Sequence, residues 1–367
     1  MRGKNIFRRI AVILITIILV MGMAGCSGDN QEVEDKDTVG SEETGNETEI
    51  EEEDDETVQG GTEPTTDEED KVKVNVASLK GPTSMGLVKI MEDNENGESA
   101  NDYNFSVVGT PDEISPGIIG GDFDIAALPA NLASVLYNKS NGGVVVVGIN
   151  TLGVLYIVET GEQINSVEDL RGKTIYSTGK GTTPEYTLNY LLTSNGIDPE
   201  KDVTIEYKSE ATEVAALLSE ADDGVAMLPQ PYVTTVIMNN DKVRIALDVA
   251  EEWEKVDDSG SAVTTGVVVV NKEFLDKNKE VVEGFLEEYS QSVSYVNSNV
   301  EDGAQLIEKF DIFKAAVAKK AIPECNIVLL TGDEMKTKLE GYLTVLHGQN
   351  PNSVGGELPK ADFYYTE

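Results

Sequence analysis

The chain has 367 residues, 67 acidic against 28 basic, for a formal net charge of −39. Such a surface repels nucleic acid, because recognition of nucleic acid rests on neutralising phosphates. The acidic excess is shared between a short tract and the rest: residues 71–367 still hold 47 acidic and 23 basic side chains. Those 297 residues are enough for two lobes of ordinary size.

Residues 1–26 read as an export signal. Arg2, Lys4, Arg8 and Arg9 form a basic head, and 10–20 form an apolar core too short for a comfortable membrane span. Met23-Ala24-Gly25-Cys26 then resembles the bacterial lipoprotein cleavage box. The resemblance implies cleavage before Cys26 and lipid on that cysteine, which would tether the protein to the extracytoplasmic face of the cell membrane. Cys325 is then left alone, so neither an intrachain disulfide nor a thiolate metal cluster is expected. Residues 27–70 carry twenty acidic side chains and a single lysine, Lys36, with almost nothing apolar. Such a segment buries no core and is expected to act as an extended, flexible tether.

The first α/β unit begins with a strand at 72–77, a helix at 84–91 and a polar loop at 92–102. A strand at 105–108, a short helix at 111–119 interrupted at Pro116, a buried strand at 125–128 and a helix from 131 follow. The run 144–150 is almost continuously β-branched, as suits a strand covered on both faces. A second apolar segment, 152–158, is parted from it at Gly153, and this junction reads as a first crossing between lobes.

The second unit repeats the scheme at an offset of one hundred residues without gaps. Strands are expected at 174–177, 203–207 and 225–228, and helices at 184–194, 211–219 and 231–238. Between 71–137 and 171–237 there are ten identities in 67 positions, clustered where the units matter. Lys80-Gly81-Pro82-Thr83-Ser84 answers Lys180-Gly181-Thr182-Thr183-Pro184, and Leu128-Pro129 answers Leu228-Pro229. A strand at 243–248 and a polar stretch with the single tryptophan, Trp253, lead to 264–270, read as the return crossing. Helices at 273–297, 301–309, 313–320 and 333–346 are expected to pack back on the first lobe.

The loop at 178–185 joins a strand end to a helix start, the place where open α/β sheets bind ligands. Two glycines permit a tight turn, a Thr can cap the helix with Pro184 suited to the first helical position, and if Thr182 is the cap instead then Glu185 completes a capping box. Exposed N–H groups and hydroxyls there suit small polar or anionic ligands. The Walker spacing is absent, so nucleotide binding is a poor reading. Candidate contacts are Thr83 and Ser84 on the first loop, Asn131 after Leu-Pro, Asn150 at the crossing, Lys180, Thr182 and Thr183 on the second loop, and Gln230. Trp253 and Tyr232 have the shape to stack on a ring, although core packing is the commoner fate. His347, the single histidine, is remote from both loops in sequence, and no catalytic triad, metal spacing or cofactor turn stands out. The chain therefore reads as a binder rather than an enzyme, with no cofactor and no metal.

Ser166-Val167-Glu168-Asp169-Leu170-Arg171-Gly172-Lys173, the loop at 179–183, and Gly266-Val267-Val268-Val269-Val270 before a long helix complete the pattern. On these residues the chain resembles the solute-binding proteins of bacterial ABC importers, closest to the branch that binds sulfonates, nitrate-like anions and thiamine precursors. The resemblance covers 72–367. It implies an α/β, two-lobed periplasmic-binding-protein-like (type II) fold with a ligand cleft between the lobes. Lobe 1 would comprise 71–152 and 266–367, and lobe 2 would comprise 153–265. It also implies a monomer that delivers a small molecule to an ABC permease and its ATPase. A ligand-sensing lipoprotein and a small-molecule enzyme on the same fold are the alternatives.

Overall fold

The computed structural model describes residues 71–366. The expected signal, Cys26 and the acidic tether lie outside these residues. The chain opens with β1 (Lys73–Leu79), α1 (Pro82–Met85), α2 (Val88–Glu95), β2 (Asp102–Val108) and α3 (Pro111–Gly120). It continues through β3 (Ile125–Pro129), α4 (Ala130–Ser140) and β4 (Val144–Leu152). The middle of the chain holds β5 (Leu155–Thr160), β6 (Thr174–Thr178), α5 (Thr183–Ser194), β7 (Thr204–Lys208) and α6 (Ala211–Glu220). After these come β8 (Gly224–Pro229), α7 (Tyr232–Asn239), β9 (Val243–Asp248) and α8 (Val249–Glu254). Then β10 (Thr264–Asn271) is followed by α9 (Lys272–Lys277), α10 (Lys279–Ser298), α11 (Val300–Lys309) and α12 (Ala315–Ala321). A short strand, β11 (Ile327–Leu330), precedes the long helix α13 (Gly332–Gln349).

Two sheets organise these elements, in the orders β11-β4-β10-β3-β1-β2 and β7-β6-β8-β5-β9. Apart from the edge strand β11, the two orders are equivalent. In each, a parallel trio (β2-β1-β3 or β7-β6-β8) is joined to an antiparallel strand, β10 or β5, that pairs on its other side with β4 or β9. The hundred-residue repeat is thus a repeat of sheet topology. The segment 264–270, read from sequence as a crossing, is instead a central strand, fully paired with β3 and β4. Its run of valines is buried on both faces, which explains why its sequence lacks the alternation of a half-exposed strand.

Both sheets are covered on both faces. The first is sandwiched between a cluster built on Phe285, Tyr289 and Val296 of α10 and another built on Leu339, Tyr342 and Leu346 of α13. The second cluster also takes in Tyr186 of α5 and Trp253 of α8, so apolar packing continues from the first sheet into helices of the second. The C-terminal helices accordingly do more than return to the first sheet: α13 packs on α4, β4 and α5, and α12 meets α7. The second sheet is braced by Glu159, only 2% exposed, whose carboxylate accepts from Gln163 N (3.0 Å), Ile164 N (3.0 Å) and Arg244 Nη2 (2.5 Å). A buried charge held by three donors avoids the penalty of an unpaired one.

Local structure departs from the sequence reading in several places: the helix expected at 84–91 is the two helices α1 and α2, and β11 has no counterpart among the expected strands. Helix α3 runs through Pro116 without interruption; its start is fixed by a capping box between Thr110 and Glu113, and it stops at Gly121 in the left-handed region (φ 85). The single helix expected at 273–297 divides at Asn278, whose φ/ψ of −134/44 is not helical. Trp253 lies on a helix, α8, within the stretch read as polar and irregular. It is fully buried, donates from Nε1 to Ser261 Oγ (3.0 Å), and its ring contacts Tyr190 (4.3 Å) and Tyr342 (5.4 Å), which makes it a core residue.

Gly266 is where β10 passes the first loop. A Cβ there would lie 2.5 Å from Asn150 Oδ1 and would run into the Thr83 methyl group, with neither neighbour able to withdraw from the packed interior. Gly266→Ala should therefore destabilise the fold by ~1–3 kcal/mol, the usual cost of overpacking. Gly120→Ala, where nothing lies within 4 Å, is the control. Urea unfolding followed by circular dichroism measures both. Equal midpoints for Gly266→Ala and the parent would contradict this packing.

Candidate binding cleft

A cavity of about 480 Å³ lies between the C-terminal strand ends of the two sheets. From the first sheet, Leu79, Lys80, Pro82 and Thr83 of the β1–α1 loop line it, with Pro111, Pro129, Asn131 and Leu132 at the starts of α3 and α4. From the second come Val154 and Leu155 at the start of β5, Thr182, Thr183 and Pro184 at the start of α5, and Pro229 at the end of β8. Val263 and Thr265 beside β10, and Tyr342 of α13, complete the wall. The equivalent loops of the repeat thus face one space. Carboxylates, imidazoles and thiols are absent from this wall, whose titratable side chains are Lys80 and Tyr342.

Each loop holds its threonine by a short local bond. Thr83 Oγ1 donates to Leu79 O (2.7 Å) and Thr182 Oγ1 donates to Gly179 O (2.6 Å). The second bond displaces the expected capping box. Gly179 and Gly181 sit in the left-handed region (φ 72 and 77), the loop curls under Thr182, and its hydroxyl turns back to Gly179 rather than forward to the helix. Glu185 accepts from Gly181 N (2.5 Å) instead of from the cap residue. Thr182 is still the N-cap by backbone conformation, with Thr183 the first helical residue.

The candidate residues named from sequence therefore separate. Thr83, Asn131, Thr182 and Thr183 share the cavity wall. Ser84 and Asn150 are 0% and 1% exposed and stand behind the first loop. Ser84 Oγ donates to Leu79 O (2.5 Å), and Asn150 Nδ2 donates to Thr83 O and Tyr289 OH, both at 3.0 Å. They position the loop and do not face the space it borders. Lys180 is exposed, with Nζ 5.8 Å from the centroid of the Tyr207 ring. Gln230 follows the wall residue Pro229 but is 2% exposed. Its Oε1 accepts from Thr234 N (3.2 Å) and Oγ1 (2.8 Å), while Nε2 is without a hydrogen-bond partner among the described residues. Asn131 Nδ2 donates to Ser353 O (3.1 Å), and Lys80 is paired with Asp311 (3.0 Å). His347, in the last turn of α13, is not on the wall.

Thr265 and Tyr342 are polar wall residues that sequence reading missed. The Tyr342 hydroxyl lies 3.1 Å from Thr187 Oγ1, and burial pushes its phenol pKa up. Tyr186 makes a second link of the same kind: its hydroxyl donates to Gly181 O (2.9 Å) and accepts from Asn350 Nδ2 (2.8 Å). The start of α5 and the second loop are thereby fastened to α13 and the turn after it. Among the described residues there is no group of three or more His, Cys, Asp or Glu side chains suited to a metal ion, and no helix long and apolar enough to cross a membrane.

Comparison with known proteins places this architecture. Residues 135–302 match the family model described as NMT1/THI5 like. Comparison with curated proteins returns no match. Among solved structures, an ABC transporter protein from Parabacteroides distasonis is 22% identical, with a TM-score of 0.67 over 80% of this chain and 99% of that one. The periplasmic aliphatic sulphonate binding protein SsuA from Escherichia coli is 15% identical, with a TM-score of 0.61 over 78% and 92%. The ligand-binding component of an ABC-type import system from Staphylococcus aureus, solved with zinc bound, is 14% identical, with a TM-score of 0.57 over 81% and 99%. The chain has the two-lobed periplasmic-binding-protein fold, carries an NMT1/THI5-like region at residues 135–302, and is similar to the solute-binding proteins of ABC transporters.

Proposed function

We propose that this protein is an extracytoplasmic solute-binding lipoprotein that captures one small organic molecule between its lobes and delivers it to an ABC importer without altering it. The observation that carries this reading is the cavity itself. Its wall is built from strand ends and helix starts at equivalent places in the two sheets, so a ligand there touches both at once. A volume of about 480 Å³ is in the range of small-molecule sites. The similarity to importer binding proteins supports the same reading.

Capture has a structural route. A ligand that bonds both loops favours the arrangement in which they approach, and the chain segments around Gly153 and before β10 are where the two sheets are joined. Thr83, Asn131, Thr182 and Thr183 are the polar contacts proposed from the sequence that border this space. Lipid at Cys26 would keep the binding unit beside its permease.

The direct test is to equilibrate the purified full-length protein with a metabolite extract and identify what it retains by mass spectrometry. One unmodified compound is expected; a chemically altered product would overturn the transport reading in favour of an enzyme. With that compound in calorimetry, Thr183→Ala should weaken binding roughly two- to tenfold, the equivalent of one hydrogen bond of ~0.5–1.5 kcal/mol, with the melting temperature preserved. Thr182→Ala, which loses the bond to Gly179, should lower stability by ~0.5–1.5 kcal/mol. Unchanged affinity in both variants would place the site elsewhere. For the anchor, Cys26→Ala should abolish labelling by a radioactive fatty acid and release the protein from membranes or leave it unprocessed. Normal processing with undiminished label would refute lipidation there.

A further inference from the structure

From the polarity of the cavity wall we infer that this cleft selects an uncharged or cationic organic molecule with an apolar body and N–H or O–H donors, and discriminates against oxyanions such as sulfonates. The inference rests on the proposed binding role and narrows it. Clefts formed by helix starts ordinarily suit anions, because the first helical N–H groups have no partner within the helix and point outward. Here that donor set is depleted by proline. Pro111 is the first residue of α3 and Pro184 the second of α5, two helices that start on the wall. Pro82 is the first residue of α1, Pro129 caps α4 and Pro229 ends β8. Proline has no N–H, so at Pro111 and Pro184 an apolar ring stands where a first-turn donor otherwise would, and Pro82, Pro129 and Pro229 add apolar surface to the wall.

Two wall threonines and one ion pair point the same way. The hydroxyl protons of Thr83 and Thr182 are committed to Leu79 O and Gly179 O, which leaves oxygen lone pairs as what these side chains offer a ligand. The charge of Lys80 is balanced by Asp311 at 3.0 Å. Next to the wall residues Thr182, Thr183 and Pro184, the first turn of α5 carries a carboxylate of its own: Glu185 accepts from Gly181 N at 2.5 Å. A second anion at that helix start would meet like charge. At longer range, the excess of acidic over basic side chains in 71–367 slows approach of anions and favours cations. Leu79, Leu132, Val154, Leu155 and Val263 supply the apolar surface for the ligand body.

The test uses the full-length chain and the compound it retains from a metabolite extract, detected in both ion modes. A retained species with N–H or O–H donors and no anionic group supports the inference. One carrying sulfonate, sulfate, phosphate or carboxylate overturns it while leaving the binding role standing, and retention of nothing removes both. The retained compound is then compared with an analogue bearing a sulfonate in place of its donor group, which should bind at least tenfold more weakly. Glu185→Gln keeps an acceptor for Gly181 N–H and removes the charge, so it should narrow that difference at least threefold. A difference unchanged by Glu185→Gln would show that the carboxylate does not set the discrimination and would count against the inference.

Discussion

The pairing of β10 between β3 and β4 is the constraint on which the binding region depends. This strand arrives late in the chain, after the whole second sheet has been made, and runs antiparallel to two strands of the first. Its glycine, Gly266, leaves just the room in which Thr83 and the carboxamide of Asn150 fit. Asn150 then donates at once to Thr83 O and to Tyr289 OH, so a single buried amide joins β4, the first loop and α10. Its oxygen accepts from Thr151 Oγ1 (3.2 Å). A buried amide with its groups satisfied holds geometry more strictly than apolar packing does, because every displacement leaves a polar atom without a partner.

The second loop is held differently. It relies on two left-handed glycines, the hydroxyl of Thr182 and the carboxylate of Glu185, all within one turn of chain. What fixes it to the rest of the molecule is Tyr186, bonded to both Gly181 O and Asn350, and the Thr187–Tyr342 contact one residue further on. Both links reach α13, whose other face packs on the first sheet. Trp253 fills the space beside them.

The chemistry of the cleft follows from where the prolines fall. Helix starts gathered at strand ends would by default make an anion trap. Proline in the first turn of α3 and α5 keeps the helices in register while taking donors away from the space between them. The same residues are good helix starters, so one substitution pattern serves fold and selectivity together. An apolar, acceptor-bearing wall is the outcome, on a fold shared with a sulphonate-binding protein.

The sequence by itself determined most of the strands and helices as far as β9, the hundred-residue repeat and the two equivalent loops, because these depend on periodicity, glycine and proline placement, and short-range capping. The continuity of α3 through Pro116 and the helix bearing Trp253 escaped it, since tertiary packing outweighed local breaker signals. Only the tertiary structure decided that the valine run at 267–270 belongs to a central strand and that Ser84 and Asn150 brace the first loop from behind. It also decided that Tyr342, 160 residues beyond Thr182 in the chain, borders the same cavity. Thr182 shows the limit most plainly: its identity and spacing to Glu185 match a capping box, yet two glycines turn its hydroxyl back on the loop. Whether a polar side chain supports a site or faces it depends on which distant element fills the space behind it. That is set by the packing of elements far apart in sequence, for which a local pattern carries no signal.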